Sequence, residues 1–161
     1  MIKKDVLKKI NEQIQLEYES AFIYKQMSID MAIKGWNGFA HWFDAQYKEE
    51  IAHAEEMVNY VIMRGETPVL HDIKTAEVKL ENVVAYFEKA YEHECFVSKS
   101  INEIVAAARK ENDYATENFF RRFVDEQVEE EDTVAGIVDR LKLANGDAGY
   151  LIIDGDLATR Q

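Results

Sequence analysis

The sequence predicts an all-α protein: a four-helix bundle with one long crossover between the second and third helices and a short C-terminal fifth helix. Three observations predict it. Apolar residues recur in three-then-four steps through four long segments. Two of the connections between those segments are short and one is long. And near the midpoint of every segment the apolar seam is broken by acid, amide or imidazole: Glu17, Glu50, His53, Glu94, Gln127 and Glu130.

The first segment carries Leu7, Ile10, Ile14, Glu17, Ala21, Tyr24, Ser28 and Met31, and stops at Lys34-Gly35, where glycine suits a helix C-terminus. The second carries Phe39, Phe43, Gln46, Glu50, His53, Met57 and Tyr60, with Asn37 as the expected N-cap and Arg64-Gly65 as its end. About fifteen residues follow, Gly65 to Lys79, including the only proline, Pro68. Extended, they reach about 45–50 Å, comparable to a helix of about 28 residues, so they can return along the whole bundle. The third segment carries Leu80, Val84, Phe87, Tyr91, Glu94, Ser98, Ile101, Val105 and Ala108. The fourth, opened by Asn112-Asp113 and closed by Asn145-Gly146, carries Thr116, Phe120, Phe123, Gln127, Glu130, Val134, Ile137, Leu141 and Ala144. Residues 147–158 read as a short helix. Its cluster of Tyr150, Leu151, Ile152, Ile153 and Leu157 is too apolar for so small a segment to hide, which favours packing against another subunit. The whole chain, 1–161, reads as a single domain with its bundle over 4–145.

Helix midpoints lie at one height in a bundle, so the polar residues should converge on one central layer. An unpaired buried carboxylate costs on the order of several kcal/mol, and four of them would exceed the roughly 5–15 kcal/mol stability of an ordinary domain. Two divalent cations would neutralise Glu17, Glu50, Glu94 and Glu130, with His53 and Gln127 as neutral ligands or neighbours. Glu50 and His53 form a Glu-x-x-His pair on one helix face. That spacing is commonplace on solvent-facing helices and gains weight here from its place on the core seam. Oxygen-rich coordination with one imidazole suits iron or manganese, whereas structural zinc sites more often use thiolates. Glu49, Glu126, Glu129 and Glu130 could hold a third, more exposed cation, or could be part of a solvated charge run with Glu131 and Asp132. Tyr24, seven residues after Glu17 on the same seam, could reach a ligand carboxylate and donate an electron, although packing alone is the commoner role of a core tyrosine. Cys95 points away from Glu94 and is read as a packing residue. His41, His71 and His93 are read as surface residues, and Trp36 and Trp42 as core or interface aromatics.

Composition narrows the function classes. A hydrophobic fraction of 47% with 31% charged residues excludes a disordered chain, and a net charge of −12 disfavours nucleic acid and anionic membranes as partners while attracting cations. Simple solubility explains most acidic proteins and is the commoner reason for such a charge. A single cysteine excludes an internal disulfide framework. Neither a signal core nor a run of membrane-spanning length is present, and the expected location is the cytoplasm.

Four stretches together resemble the bacterial-type non-haem ferritins: Leu16-Glu17-Tyr18-Glu19, Glu49-Glu50-Ile51-Ala52-His53-Ala54-Glu55, Glu92-His93-Glu94 and Asp125-Glu126-Gln127-Val128-Glu129-Glu130-Glu131. Glutamates joined to Glu-x-x-His are the established signature of ferritin-like di-iron bundles. The resemblance implies that Glu17, Glu50 and His53 bind one iron, that Glu50 bridges to a second held by Glu94 and Glu130 with Gln127 close by, and that Glu49, Glu126, Glu129 and Glu130 form an extra iron site. It implies a ferroxidase that oxidises Fe2+ with O2 or H2O2 and an iron store built as a homo-oligomeric cage of twenty-four chains. Bacterioferritins carry a haem-ligating methionine directly after the bridging glutamate, where this chain has Ile51, so no haem is expected. The tail resembles the ferritin fifth helix, weakened by Gly155. Two other readings differ in kind. A discrete di-iron or di-manganese redox enzyme predicts a small oligomer and no mineral; a purely structural bundle with protonated or water-bridged glutamates predicts no metal and better stability when Glu17 and Glu94 become leucine.

Overall fold

The computed structural model describes residues 1–75, 77–144 and 146–159. Among the described residues are five helices: α1 Lys4–Ile33, α2 Asn37–Met63, α3 Val83–Lys110, α4 Tyr114–Leu143 and α5 Gly146–Leu157. Gly146, with φ of +72°, opens α5, and Gly35 and Gly65 have φ of +86° and +74°, the left-handed conformation that lets a helix end without a Cβ clash. Asn112 does the same work after α3 at φ +57°. Asn145, half of the expected stop of the fourth helix, lies outside the described residues.

Cross-helix pairs fix the topology. Between α1 and α3, Lys9 pairs with Glu103, Ser20 with His93 and Lys34 with Tyr86, so these helices are antiparallel. Between α2 and α4, Gln46 meets Glu130 and Arg64 meets Asp113, which is antiparallel again. The crossover runs along α1: the Val69 N–H donates to Asn11 Oδ1, Gln15 Nε2 to the Asp72 carbonyl, and the Lys74 N–H to Glu19 Oε1. It thus returns the chain to the end where α2 began, as its length predicts.

The core is two apolar blocks separated by the polar layer. One holds Tyr24, Met31, Phe39, Trp42, Phe43, Phe87, Ile137 and Ile153; the other holds Ile10, Ile14, Met57, Val97, Ile101, Phe120 and Phe123. Most seam positions read from sequence are buried, but α3 is rotated from the expectation. Phe87, Glu94, Ile101 and Ala108 are buried as expected, whereas the flanking row inside is Val83, Ala90, Val97 and Ile104, and Tyr91 is exposed. Both flanks of that helix are apolar, so spacing alone did not decide between them. Leu80 precedes the helix, whose true cap is Asn82, accepting from the Ala85 N–H at 2.9 Å.

The start of α2 also departs from expectation. Asn37 is its first helical residue, and no local side chain caps it. The acceptor comes from α5 instead: Asp154 Oδ1 takes the Phe39 N–H at 2.8 Å. Gly38 makes this contact possible, since a Cβ there would stand 1.7 Å from the Asp154 carbonyl oxygen. Ile153 is buried against the end of the bundle, while Leu151 and Ile152 remain exposed, so the short helix hides only part of its apolar surface.

Candidate metal centre

Helix spacing assembles the polar layer. Glu50 and His53 lie one turn apart on α2 and Glu17 meets them from α1; one ligand atom of each lies within 4.8 Å of the others. Glu17 is 1% exposed, Glu50 4% and Glu94 0%, so these are core carboxylates and not a surface run. His53 Nδ1 is 3.5 Å from Glu50 Oε2, and its Nε2 is 3.5 Å from Glu126 Oε2 on α4. Phe123 stands perpendicular to the imidazole and fixes its plane.

The remaining sequence-picked residues surround this set. Glu94 accepts from the Tyr24 hydroxyl on one oxygen and from Gln127 Nε2 on the other, the latter at 3.0 Å. Glu130 Oε2 accepts from Gln46 Nε2 at 3.0 Å. Glu49, Glu126 and Glu130 are half-buried and Glu129 is exposed. Among the described residues, Glu17, Glu50 and His53 form the group whose ligand atoms come within 4.8 Å; Glu94, Glu130 and the residues of the outer set are not drawn into it. Beside Glu130 a cleft of about 520 Å³ opens between α4 and α5, lined also by Trp42, Asp132 and Asp156.

Electrostatics agree with the geometry. Burial first, then the charge of Glu50, holds the Glu17 carboxyl well above its ordinary range. Burial lifts Glu50 to about 8, with the nearness of the Glu17 carboxyl opposing the effect and the charges of Glu94, Glu130 and Glu49 adding to it. Glu94 is raised by burial, against the lowering effect of the bonds from Tyr24 and Gln127. The Tyr24 phenol is raised well above 10 by burial and by Glu94. Burial of these carboxyls thus favours the neutral, protonated form, and a bound cation would take the place of the proton. Glu17 Oε2 and Glu126 Oε2 are buried without a hydrogen-bond partner, each at a cost of about 1–3 kcal/mol. Orphaned oxygens beside an imidazole fit a divalent ion of the iron or manganese kind.

Sequence reasoning missed three contributors. Gln13, fully buried, donates Nε2 to Glu17 Oε1 at 2.7 Å; its place four residues before Glu17 on a core-facing surface is the signal that could have found it. Ser20 and His93 form the other pair. The Ser20 hydroxyl donates to the Leu16 carbonyl, so the His93 Nε2–H donates to Ser20 Oγ at 2.6 Å. His93 is therefore not the surface residue expected: it is half-buried, perpendicular to the Tyr24 ring, and burial with the nearby Lys89 charge pushes it down to about 4. His41 and His71 are exposed, Cys95 is half-buried, and Trp42 is a core residue with Trp36 packed on the same block.

Four antiparallel helices joined by one long crossover, with carboxylates and an imidazole meeting at mid-height, define the ferritin-like class of bundles. Residues 7–144 match the family model of the ferritin-like domain. The bacterial non-heme ferritin of Bacteroides fragilis is 42% identical over 160 residues, spanning 99% of this chain and 100% of that one. That of Escherichia coli O6:H1 is 32% identical over 160 residues, spanning 99% and 97%. The open pore ferritin from the hyperthermophilic archaeon Archaeoglobus fulgidus superposes with a TM-score of 0.97 at 37% identity, over 99% of this chain and 98% of that one. The chain belongs to the ferritin family. Among the described residues no helix is long and apolar enough to cross a membrane.

Proposed function

We propose that this protein stores iron and oxidises it on the way in. The observation that carries the reading is the convergence of Glu17, Glu50 and His53 in a buried layer with an orphaned carboxylate oxygen. Fe2+ is the substrate. Glu17, Glu50 and His53 bind one ion, and Glu50 bridges to a second bound by Glu94 and Glu130 beside Gln127. Each ion gives up one electron, so a pair reduces O2 to H2O2, or H2O2 to water. Carboxylates favour the more highly charged ferric product, which makes the oxidation easier. Tyr24, hydrogen-bonded to Glu94, can supply one of the two electrons that take H2O2 to water when a single Fe2+ supplies the other, its proton passing to that carboxylate. Glu49, Glu126, Glu129 and Glu130 hold a third iron, and the cleft beside Glu130 gives a way out toward the mineral. The active particle is a cage of twenty-four copies of one ferritin-like unit in the cytoplasm, holding hydrated ferric oxide.

The test is size-exclusion chromatography with light scattering and iron analysis on protein loaded with Fe2+ in air. A particle of about twenty-four subunits with far more than three irons per chain is expected. A small oligomer with about two metals per chain would instead identify a discrete redox enzyme.

Stability should depend on pH in a direction set by Glu50. It ionises near 4.5 in the unfolded chain and at about 8 in the fold, so the folded state keeps a proton that the unfolded chain loses. The stabilisation is full below pH 4.5 and is lost as pH rises through about 8. Metal-free protein should therefore melt higher at about pH 5.5 than at about pH 8.5, and Mn2+ should restore the midpoint at the higher pH by replacing the protons. Calorimetry at the two pH values, with and without Mn2+, measures both effects.

A further inference from the structure

Glu17, Glu94 and Glu130 each accept a hydrogen bond from an uncharged donor. Gln13 Nε2 serves Glu17, Gln46 Nε2 serves Glu130, and Gln127 Nε2 with the Tyr24 hydroxyl serves Glu94. Gln13 and Gln46 are 0% and 1% exposed, and in both the amide oxygen is buried without a partner. An orphaned acceptor works against the fold. Turning either amide over would set its oxygen against a carboxylate oxygen, two acceptors face to face once the carboxylate is ionised. The orientation is therefore dictated by what Nε2 does, at the expense of Oε1.

We propose that Gln13 and Gln46 are positioning residues for the two metal subsites, Gln13 for the subsite of Glu17, Glu50 and His53, and Gln46 for the subsite that includes Glu130. A lysine or arginine in either place would orient the carboxylate equally well and would also cancel the charge that binds the cation. A carboxamide fixes one carboxylate oxygen and leaves the charge for the ion. Gln46 acts across the bundle, from α2 to α4, and so ties the second subsite to the first hairpin. Gln13 acts within α1, one turn before its glutamate, so the two should be separable.

The inference rests on the two-metal reading above, and the experiment distinguishes the failure of one from the failure of the other. Co2+, which is not oxidised in the assay, is titrated into the assembled protein and followed by calorimetry and by its visible absorption bands. Methionine replaces each glutamine, keeping its length while removing the donor. Gln46→Met should weaken binding of the second Co2+ by about 10- to 100-fold and leave the first unchanged; Gln13→Met should weaken the first by a similar factor. This crossed pattern, with thermal midpoints measured alongside, is one that a general loosening of the core would not produce. If wild-type protein binds two Co2+ per chain and both variants bind as it does, or if each variant weakens both steps alike, the positioning role is overturned and the two-metal reading stands. If wild-type protein binds fewer than two, both are overturned.

Discussion

Alanine at Glu50 is expected to slow aerobic Fe2+ oxidation by at least about 100-fold, the upper end of what losing even an outer-shell partner costs a metal site. Glu50 sits at the centre of the layer: a ligand atom of Glu17 comes within 4.8 Å of one of its own, His53 lies 3.5 Å away, and it feels the charges of Glu94 and Glu130. On the proposed two-iron reading, its loss removes a ligand from one iron and the bridge to the other, so neither neighbour can compensate. The metal-free fold should survive. Deleting a buried carboxylate held protonated by its surroundings also deletes an electrostatic penalty, which offsets the small cavity left behind. Stopped-flow oxidation and a melting curve on the same sample provide the check. Rapid oxidation retained in Glu50→Ala would mean that the chemistry happens elsewhere.

Gly38→Ala should undock α5. The added Cβ would meet the Asp154 backbone at 1.7 Å from O and 2.5 Å from C, distances that no rotamer change can relieve. The helix must move away, exposing Ile153, which is worth roughly 2–3 kcal/mol when buried, and releasing the Phe39 N–H from its acceptor, worth about 1 kcal/mol. Hydrogen exchange should rise sharply over Gly146–Leu157 and over the first turn of α2, with little change at mid-bundle. Gly155→Ala is the control: no atom lies within 4 Å of its added Cβ, so α5 should be tightened by up to about 1 kcal/mol. If Gly38→Ala leaves α5 as protected as before, the close approach described above is wrong.

The central layer was legible because its polar residues interrupt strongly periodic seams, and four coincident interruptions have no cheap alternative in a core. Connection lengths carried the topology for a similar reason, since a short turn can only join neighbours. What escaped was information that sequence separation hides. The cap on α2 comes from Asp154, and nothing local to Asn37 or Trp36 announces it. The rotation of α3 escaped because Val84, Tyr91 and Val105 on one flank are as apolar as Val83, Val97 and Ile104 on the other, so the choice falls to tertiary packing. His93 escaped because burial of an imidazole beside Ser20 needs two helices to be placed first. Carboxylate geometry was beyond reach as well: spacing puts Glu94 and Glu130 at the right height, but their hydrogen-bond partners turn them toward Tyr24, Gln127 and Gln46.

The division of the proposed ligands between the two hairpins bears on how the chain folds. Glu17, Glu50 and His53 all belong to the pair α1 and α2, which one short turn joins. Joining α1 to α2 closes a shorter loop than docking α3 and α4 across the crossover, so loop-closure entropy favours the first hairpin as the earlier contact. A cation can therefore engage the first hairpin while the second is still searching. By binding a half-formed bundle, it would bias the docking step toward the arrangement in which Glu94 and Glu130 complete the set. In a cell supplied with ferrous ion, the cargo would then act as a template for the container.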